Sequence, residues 1–402
     1  MLAVKGNNTE LTNATTSKEK ISENKTTKTP STFRYKNASR GDLPRVQKPE
    51  ISASSVPDLR SLSRANRYRS ARSGDSVLGV GPDSVGDLFL FDGQQRKGHA
   101  YVFPGQGAQF VGMGADLYSE FPIARRLYDE ADQILGFHLS KLCFEGPESD
   151  LQETKNTQPA IALTSLALFA VASEIQPKLL RPPAFFAGHS LGEYTALIAS
   201  GALSFIDGIK LVRLRGELMQ EVGESKPGTM AAILGLDIND VEDVCREAGA
   251  EICNINAPGQ IVIGGLKQSV VRALDYAQAR GARKVIPLNV GGAFHTSLMK
   301  PASEGLTEPI ATTSITPPTS PIIANCNAQP IREAVEIRNE LLDQVFKPVH
   351  WSETVNYMDT HGVKTFIEFG PGRVLTGLIK KMIKSASCVA VNDTQSVHLD
   401  LD

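Results

Sequence analysis

The pentapeptide Gly188-His189-Ser190-Leu191-Gly192 is the part of this sequence whose residue types and spacing most directly indicate chemistry. It follows an apolar segment, Ala184–Gly188, and leads into a helical pattern, LGEYTALIASGAL. A nucleophilic serine has to project from a sharp strand-to-helix turn, and flanking glycines relieve the crowding there. The helix start also offers backbone N–H groups and a favourable dipole to a developing oxyanion. We predict that Ser190 is a nucleophile, with a purely structural turn as the alternative.

A serine nucleophile needs a base, and the seven histidines are the candidates. His295 follows the apolar run KVIPLNV and a Gly-Gly pair, which places an imidazole at a strand end beside a loop, a position suited to catalysis. His189 adjoins the serine, but neighbouring residues of an elbow point apart, so we expect a packing role for it. His295 is therefore the candidate base, and a structural histidine remains the alternative reading.

Arg215 lies in the helical segment KLVRLRGELMQ. Helical spacing puts Leu211, Leu214 and Leu218 on one face, and Arg213 and Arg215 leave that face on different sides. From spacing alone the favoured interpretation is a solvated or salt-bridged arginine. The functional alternative is a clamp for a substrate carboxylate, because a planar guanidinium binds both carboxylate oxygens at once.

The elements that must position these residues begin at His99, where short apolar runs start to alternate with helical periods. This alternation is typical of an α/β fold. Ala100–Phe103, Ala184–Gly188 and Thr365–Phe369 are predicted to be buried strands, the first and last followed by Gly/Pro-rich turns and the second by the pentapeptide. We predict a larger domain with a mostly parallel sheet, with the serine at a strand-helix elbow, where such sheets place ligands.

A different pattern follows between about Thr229 and Val290. MAAILGL, IVIGG and KVIPLNV alternate with two helical stretches in the order β-α-β-α-β, which predicts a small inserted α+β subdomain of ferredoxin-like type. The first residues of the chain are rich in Ser, Thr, Lys, Arg and Asn, and we expect them to be disordered because they bury too little apolar surface. The predicted division is a disordered extension (1–97), a larger domain in two parts (98–226 and 291–394), the subdomain (227–290) and a C-terminal tail (395–402).

Composition and charge exclude several classes of protein. The net charge of -2, from 42 basic and 44 acidic residues, argues against a general nucleic-acid binder. Five cysteines without a C-x-x-C pair indicate free thiols in a reducing compartment, and no metal site. The apolar run Pro159–Ser173 is too short to span a membrane, which predicts a buried core helix. We expect a monomer that binds neither nucleic acid nor membrane.

The compartment depends on the N-terminal extension. No hydrophobic stretch of a secretory signal is present there. The segment Leu59–Arg72 is rich in Arg and Ser, as organelle transit peptides are, but it lies far from Met1 and acidic residues precede it. A cytoplasmic location is the prediction, and a mitochondrion or plastid is the alternative if the extension is a transit peptide.

Seven segments, taken together and in order, resemble the malonyl-CoA:acyl-carrier-protein transacylase family, the acyltransferases of fatty-acid and polyketide synthesis. The resemblance covers roughly His99 to Thr394 and is far more specific than one G-x-S-x-G. The segments are FPGQGAQFVGMG (Phe103–Gly114), AGHSLGEYTAL (Ala187–Leu197), LVRLRGELMQ (Leu211–Gln220), NINAPGQIVIGG (Asn254–Gly265), GGAFHTSLM (Gly291–Met299), PVHW (Pro348–Trp351) and EFGPGRVLTGLIKK (Glu368–Lys381).

The resemblance implies a role for each matching residue. Ser190 would be the acylated nucleophile, His295 its general base and later acid, and Arg215 the partner of the malonyl carboxylate. The backbone N–H groups of Gln106 and Leu191 would form the oxyanion hole.

Weaker assignments concern the coenzyme pocket and the support of the histidine. Asn256 and Gln260 fall in the N-x-P-G-Q segment near that pocket. A backbone carbonyl at the position of His350, where glutamine is familiar, would orient His295.

The implied activity is transfer of malonyl from malonyl-CoA to the phosphopantetheine thiol of acyl carrier protein, through a malonyl-serine and without a cofactor or metal. This activity would supply extender units for fatty acid synthesis. A serine hydrolase (esterase or thioesterase) and a discrete polyketide-synthase acyltransferase are the alternatives, and a third is a scaffold that only docks carrier protein.

Overall fold

The fold is described here from a computed structural model that covers residues 91 and 93–401. The predictions for residues 1–90 lie outside the described residues. Ten strands are seen in the described part of the chain, in two sheets. They are β1 (Arg96–Phe103), β2 (Pro183–Gly188), β3 (Gly228–Leu234), β4 (Glu251–Ala257), β5 (Gln260–Leu266), β6 (Lys284–Pro287), β7 (Ile322–Ile323), β8 (Pro330–Ile331), β9 (Thr365–Phe369) and β10 (Ser387–Val391).

The helices alternate with these strands as the apolar periodicity predicts. They are α1 (Ala115–Glu120), α2 (Pro122–Leu135), α3 (Leu139–Glu145), α4 (Glu148–Leu151), α5 (Thr154–Ile175), α6 (Leu191–Ala199), α7 (Phe205–Ser225), α8 (Ile238–Ala248), α9 (Lys267–Ala279), α10 (Lys300–Thr312), α11 (Ala334–Asp343), α12 (Trp351–Thr360) and α13 (Val374–Met382), with short 3-10 turns at Pro177–Leu180, Ser297–Met299 and Ser396–His398.

The larger sheet has the strand order β10-β9-β1-β2-β7-β8 and is parallel except for the β7–β8 pair. The mostly parallel α/β prediction is therefore confirmed. β1 lies between β2 and β9, so the turns after these three strands meet at one edge of the sheet. Phe103 pairs with Gly188 at that edge, which brings the Gly-Gln-Gly turn next to the serine elbow.

The smaller sheet, β3 to β6, is antiparallel with the order β4-β5-β3-β6, and the chain runs β-α-β-β-α-β through it. This is the ferredoxin-like arrangement, with α8 and α9 packed on the sheet. β4 was not predicted from the sequence, because Glu251, Asn254 and Asn256 interrupt its apolar pattern. β4 is also joined to the larger domain, since Val349 hydrogen-bonds Cys253 and Ile255 through the backbone.

Helix α5 is the centre of the larger domain. In the part of the chain that is described, it is the one helix with the length and apolar composition of a membrane span, and 89% of its most apolar window is buried inside the protein. It packs against α2 and α7. The predicted core helix over Pro159–Ser173 is thus part of a longer buried helix.

The ends of the described chain pack more tightly than predicted. β1 begins at Arg96, before the predicted boundary at 98, and the buried Arg96 side chain donates to the carbonyl oxygen of Leu401 at 2.6 Å. Residues 395–401, predicted as a C-terminal tail, pack against the larger domain. Val397 and Leu401 are fully buried, because their apolar side chains join the core beside α5.

Candidate active site

Ser190 occupies a strained turn between β2 and α6. Its backbone has φ 54° and ψ -108°, in a region that a side-chain-bearing residue seldom adopts. A Cβ on Gly192 would overlap the carbonyl oxygen of Phe103, and a Cβ on Gly188 would overlap the backbone of Gly192. Both glycines of the pentapeptide are therefore required by close backbone approach, and the turn presents the serine hydroxyl at the sheet edge.

His295 provides the imidazole beside this hydroxyl. Its Nε2 lies 2.7 Å from Ser190 Oγ, although 105 residues separate the two along the chain. His295 also has positive φ, 60°, in the turn that follows the smaller sheet. Its Nδ1 lies 2.7 Å from the carbonyl oxygen of Gln344. That carbonyl accepts the Nδ1 proton, which leaves Nε2 free to accept the serine proton.

The orienting carbonyl corrects the prediction for His350. Gln344 provides it at the end of α11, six residues before His350. The backbone of His350 instead caps α12, where its carbonyl oxygen accepts the Thr354 N–H, and its own N–H donates to Asn325. The His350 carbonyl is thus committed to the first turn of that helix.

Arg215 lies beside the same hydroxyl, and the interpretation as a solvated arginine is wrong for it. The side chain is 1% exposed, and its Nη2 donates to Ser190 Oγ at 3.2 Å. Nη1 donates to Gln158 Oε1 at 2.6 Å and Nη2 to Gln344 Oε1 at 2.7 Å. The Nε atom has no hydrogen-bond partner, and the guanidinium has no ion-pair partner, among the described residues. Arg213, on the same helix, fits that interpretation, with an ion pair to Glu217.

The oxyanion site is defined by which N–H groups are unoccupied. The N–H of Ser190 donates to Asn325 Oδ1 at 2.7 Å and is therefore not available. Within residues 93–401, the N–H groups of Gln106 and Leu191 have no hydrogen-bond acceptor, and both residues line the cavity that contains Ser190. This arrangement leaves both predicted donors free, Leu191 at the start of α6 and Gln106 in the turn after β1.

Asn256 and Gln260, predicted to bind substrate, are placed differently. Asn256 lines the cavity, and its Oδ1 is 2.8 Å from His189 Nε2. Gln260 is not among the cavity-lining residues. It opens β5 after a tight turn, and its Oε1 accepts from Lys381 Nζ at 3.0 Å. His189 packs against Trp351, as expected, and it also lines the cavity that contains Ser190.

Behind the nucleophile lies a buried polar network that the sequence analysis missed. The side chain of Gln344 donates to the Ser190 carbonyl at 2.6 Å and to Glu193 Oε2 at 2.9 Å. Asn325 donates its Nδ2 to the Gly188 carbonyl at 2.7 Å. Glu193 follows the pentapeptide directly, so its proximity was the available signal. The distant Asn325 and Gln344 lie in segments with no motif of their own.

The electrostatics of the site favour a neutral imidazole. Burial, and then the neighbouring charge of Arg215, lower the pKa of His295 to about 3. Burial also lowers the pKa of Arg215, whose guanidinium nevertheless stays protonated because its ordinary value is so high. Burial and the nearby Glu340 raise the pKa of Glu193. The site therefore contains an uncharged base next to a buried cation.

The cavity itself has a volume of about 160 Å³ and lies between the two sheets. Apolar side chains of Met219, Met230, Val262 and Phe294 form much of its wall, around the polar groups already described. Such a cavity takes a small acyl group, with the guanidinium beside it to bind an anionic end. Within the described residues, no three His, Cys, Asp or Glu side chains are grouped to hold a metal ion, and all five cysteines are free.

An acyl-transfer enzyme that works through a serine ester is the class defined by this fold and this site. A sequence model of the family described as "Acyl transferase domain" matches residues 100–398. The chain is 45% identical over 305 residues to a malonyl CoA-acyl carrier protein transacylase of Bacillus subtilis, covering 75% of this chain and 95% of that protein. It is 40% identical over 307 residues to the Escherichia coli K12 protein of that name, covering 75% and 98%.

Solved structures agree. An acyl carrier protein S-malonyltransferase from Vibrio cholerae superposes with a TM-score of 0.72 at 41% identity, covering 75% of this chain and 98% of that one. A malonyl-transacylase solved in complex with a type II polyketide-synthase acyl carrier protein gives the same TM-score, identity and coverage. This chain belongs to the malonyl CoA-acyl carrier protein transacylase family.

Proposed function

We propose that this protein transfers the malonyl group from malonyl-CoA to the phosphopantetheine thiol of acyl carrier protein through a malonyl ester on Ser190. The observation that carries the proposal is the position of one hydroxyl, Ser190 Oγ, 2.7 Å from an uncharged imidazole and 3.2 Å from a buried guanidinium. The first group activates a nucleophile, and the second selects an acyl group with a carboxylate.

In the first half-reaction, Ser190 Oγ attacks the thioester carbonyl while His295 Nε2 accepts the hydroxyl proton. The Gln106 and Leu191 N–H groups stabilise the oxyanion, and such a donor is typically worth about 3–4 kcal/mol. When the tetrahedral intermediate collapses, the C–S bond breaks, and the CoA thiolate leaves with the proton from His295. In the second half-reaction the carrier thiol gives its proton to His295 and attacks the ester. Ser190 then recovers its proton.

Arg215 serves selection in this proposal. Nη1 is occupied by Gln158, whereas the Nε–H and Nη2–H edge forms the fork that matches two carboxylate oxygens. A malonyl carboxylate would fill that fork and replace the hydrogen bond from Nη2 to Ser190. An acetyl group leaves a buried cation without its anion, so discrimination against acetyl-CoA is expected.

The experiment is incubation of the protein with malonyl-CoA, with and without holo acyl carrier protein. The expected results are a malonyl adduct on Ser190 by mass spectrometry and loss of that adduct to the carrier thiol. Rapid release of free malonate, with no carrier loading, would contradict the proposal and indicate a hydrolase. The support of His295 by a backbone carbonyl, where an α/β-hydrolase has an acidic side chain, favours transfer.

A further inference from the structure

Glu193 is a fully buried carboxyl group on α6, three residues after the nucleophile. Each of its oxygens accepts a hydrogen bond from a different distant segment. Oε1 accepts the backbone N–H of Asn325 at 3.0 Å, and Oε2 accepts Nε2 of Gln344 at 2.9 Å. Glu193 does not line the cavity. It therefore joins two segments to the back of the elbow without facing the place where substrate would bind.

Its two partners hold the reacting groups directly. Asn325 fixes the elbow, since its side chain accepts the Ser190 N–H and donates to the Gly188 carbonyl, both at 2.7 Å. Gln344 donates to the Ser190 carbonyl, accepts from Arg215 Nη2 and presents its backbone carbonyl to His295. Ser190, Arg215 and His295 are thus each one hydrogen-bonded residue away from Glu193.

We propose that Glu193 is a positioning residue for acyl transfer, which acts through Gln344 and Asn325 to hold the Ser190 hydroxyl in register with Arg215. The malonyl-selective part of this inference rests on the proposed function. The residue acts by orientation only. An error of about 1 Å in such an arrangement is enough to cost about 10²-fold in rate.

The chemistry of a carboxyl group explains why glutamate stands here. Both of its oxygens accept hydrogen bonds, whereas the amide of glutamine accepts on one side and donates on the other. In Glu193→Gln, one amide N–H must therefore face either the Asn325 N–H or the Gln344 NH2, and one of the two attachments is lost. The substitution keeps the size of the side chain, so it removes the attachment without creating a cavity.

Glu340 offers a matched control. It is also a buried carboxyl, and its Oε1 accepts the Cys326 N–H at 2.8 Å, next along the chain from Asn325. Its side chain makes no hydrogen bond to Gln344 or to the elbow among the described contacts. Glu340→Gln therefore removes a neighbouring charge from the same buried region and leaves the hydrogen bonds of Glu193 to Asn325 and Gln344 in place.

The test compares the full-length wild-type chain with these two variants. Two rates are measured: modification of Ser190 by a fluorophosphonate probe, and kcat/KM for malonyl-CoA relative to acetyl-CoA. We expect Glu193→Gln to lower both the labelling rate and the malonyl-to-acetyl ratio by about 10-fold, and Glu340→Gln to change neither by more than about 2-fold. The ratio is independent of how much protein is folded, so it remains informative if a variant is partly unfolded.

Wild-type values for both quantities in Glu193→Gln, or equal losses in the two variants, would overturn the inference. A wild-type chain that reacts with the fluorophosphonate but is never loaded by malonyl-CoA would instead refute the proposed function. In that case the labelling rates of the variants still decide whether Glu193 positions the serine.

Discussion

Nη2 of Arg215 lies 3.2 Å from Oγ of Ser190, so the cation and the nucleophile are neighbours in the folded protein. A three-carbon acyl group whose carboxylate binds the guanidinium can therefore place its thioester carbonyl beside Ser190 Oγ. Ser190 is the N-cap of α6, and Arg215 lies on the next helix, α7. The distance between the guanidinium and the hydroxyl thus selects the length of the acyl group, and the guanidinium selects its charge.

Ser190→Ala removes the only atom of the proposed site that forms a covalent bond. We expect malonyl loading to disappear and transfer to fall by roughly 10⁴-fold or more. Mass spectrometry of the intact chain after incubation with malonyl-CoA is the measurement. Ser149→Ala, at an exposed serine, is the control and keeps the adduct. A malonyl adduct on Ser190→Ala would disprove the assignment of the nucleophile.

Arg215→Ala removes the buried guanidinium from the cavity. Malonyl transfer should fall by about 10²-fold or more, because charged hydrogen bonds are worth about 1.5–3 kcal/mol each, while acetyl transfer changes far less. Steady-state kinetics with both thioesters gives the two losses. Arg213→Ala is matched in residue type and helix, and should leave the preference for malonyl unchanged. Equal losses for malonyl and acetyl in Arg215→Ala would mean that the arginine is only structural.

The pH dependence of serine labelling should reflect the neutral state of His295. The base acts when unprotonated, so the rate falls as the pH drops through its pKa. Since burial and Arg215 hold that pKa near 3, well below its ordinary value of about 6.5, the labelling rate should stay level from about pH 8 to about pH 5. An uncharged fluorophosphonate probe avoids titration of the substrate. A half-maximal rate near pH 6.5 would contradict this prediction.

Gly192→Ala should prevent correct formation of the elbow. The added methyl would overlap the Phe103 carbonyl oxygen on the neighbouring strand, so we expect a loss of about 3 kcal/mol or more in the free energy of unfolding, together with loss of labelling. Gly377→Ala is the control, since Gly377 is an exposed residue of α13 and its Cβ would meet nothing within 4 Å. That variant should be more stable by about 0.5–1 kcal/mol. Denaturant unfolding measures both, and an unaltered stability of Gly192→Ala would refute the packing argument.

The start of the catalytic unit is tested by two truncations. A chain of residues 91–402 should retain the transferase activity, because it contains all of β1. A chain of residues 98–402 loses Arg96, whose buried guanidinium bonds Tyr101 and the Leu401 carbonyl. It should unfold at a lower temperature in a thermal melt. Loss of activity in the longer chain would show that residues 1–90 are needed.

The parts of the site that could be predicted from sequence are those with local rules. The elbow around Ser190 can be predicted from five consecutive residues, because both glycines are required by close backbone contacts within the turn and with the adjacent strand. The helix and strand types likewise follow from apolar periodicity. β4 escaped because a strand at the edge of the smaller sheet carries polar residues toward the cavity, Asn254 and Asn256 among them.

The supporting residues could not be predicted because their signal is not in their side-chain pattern. Gln344 orients His295 with a backbone carbonyl, which any residue type possesses, so no letter of the sequence marks it. The burial of Arg215 depends on its contacts with Gln158 of α5 and with Gln344 at the end of α11, and helical spacing reports only the face of its own helix. Asn325 acts across the sheet on an elbow 135 residues away.

Two backbone hydrogen bonds between Val349 and β4 attach the smaller sheet to the larger domain. They lie close in sequence to Gln344, which supports the imidazole of His295. A subdomain attached in this way keeps the width of the cavity between the two sheets fixed. The movement that the reaction needs is then made by the flexible pantetheine chain, which must bring each thioester to a serine that stays in place.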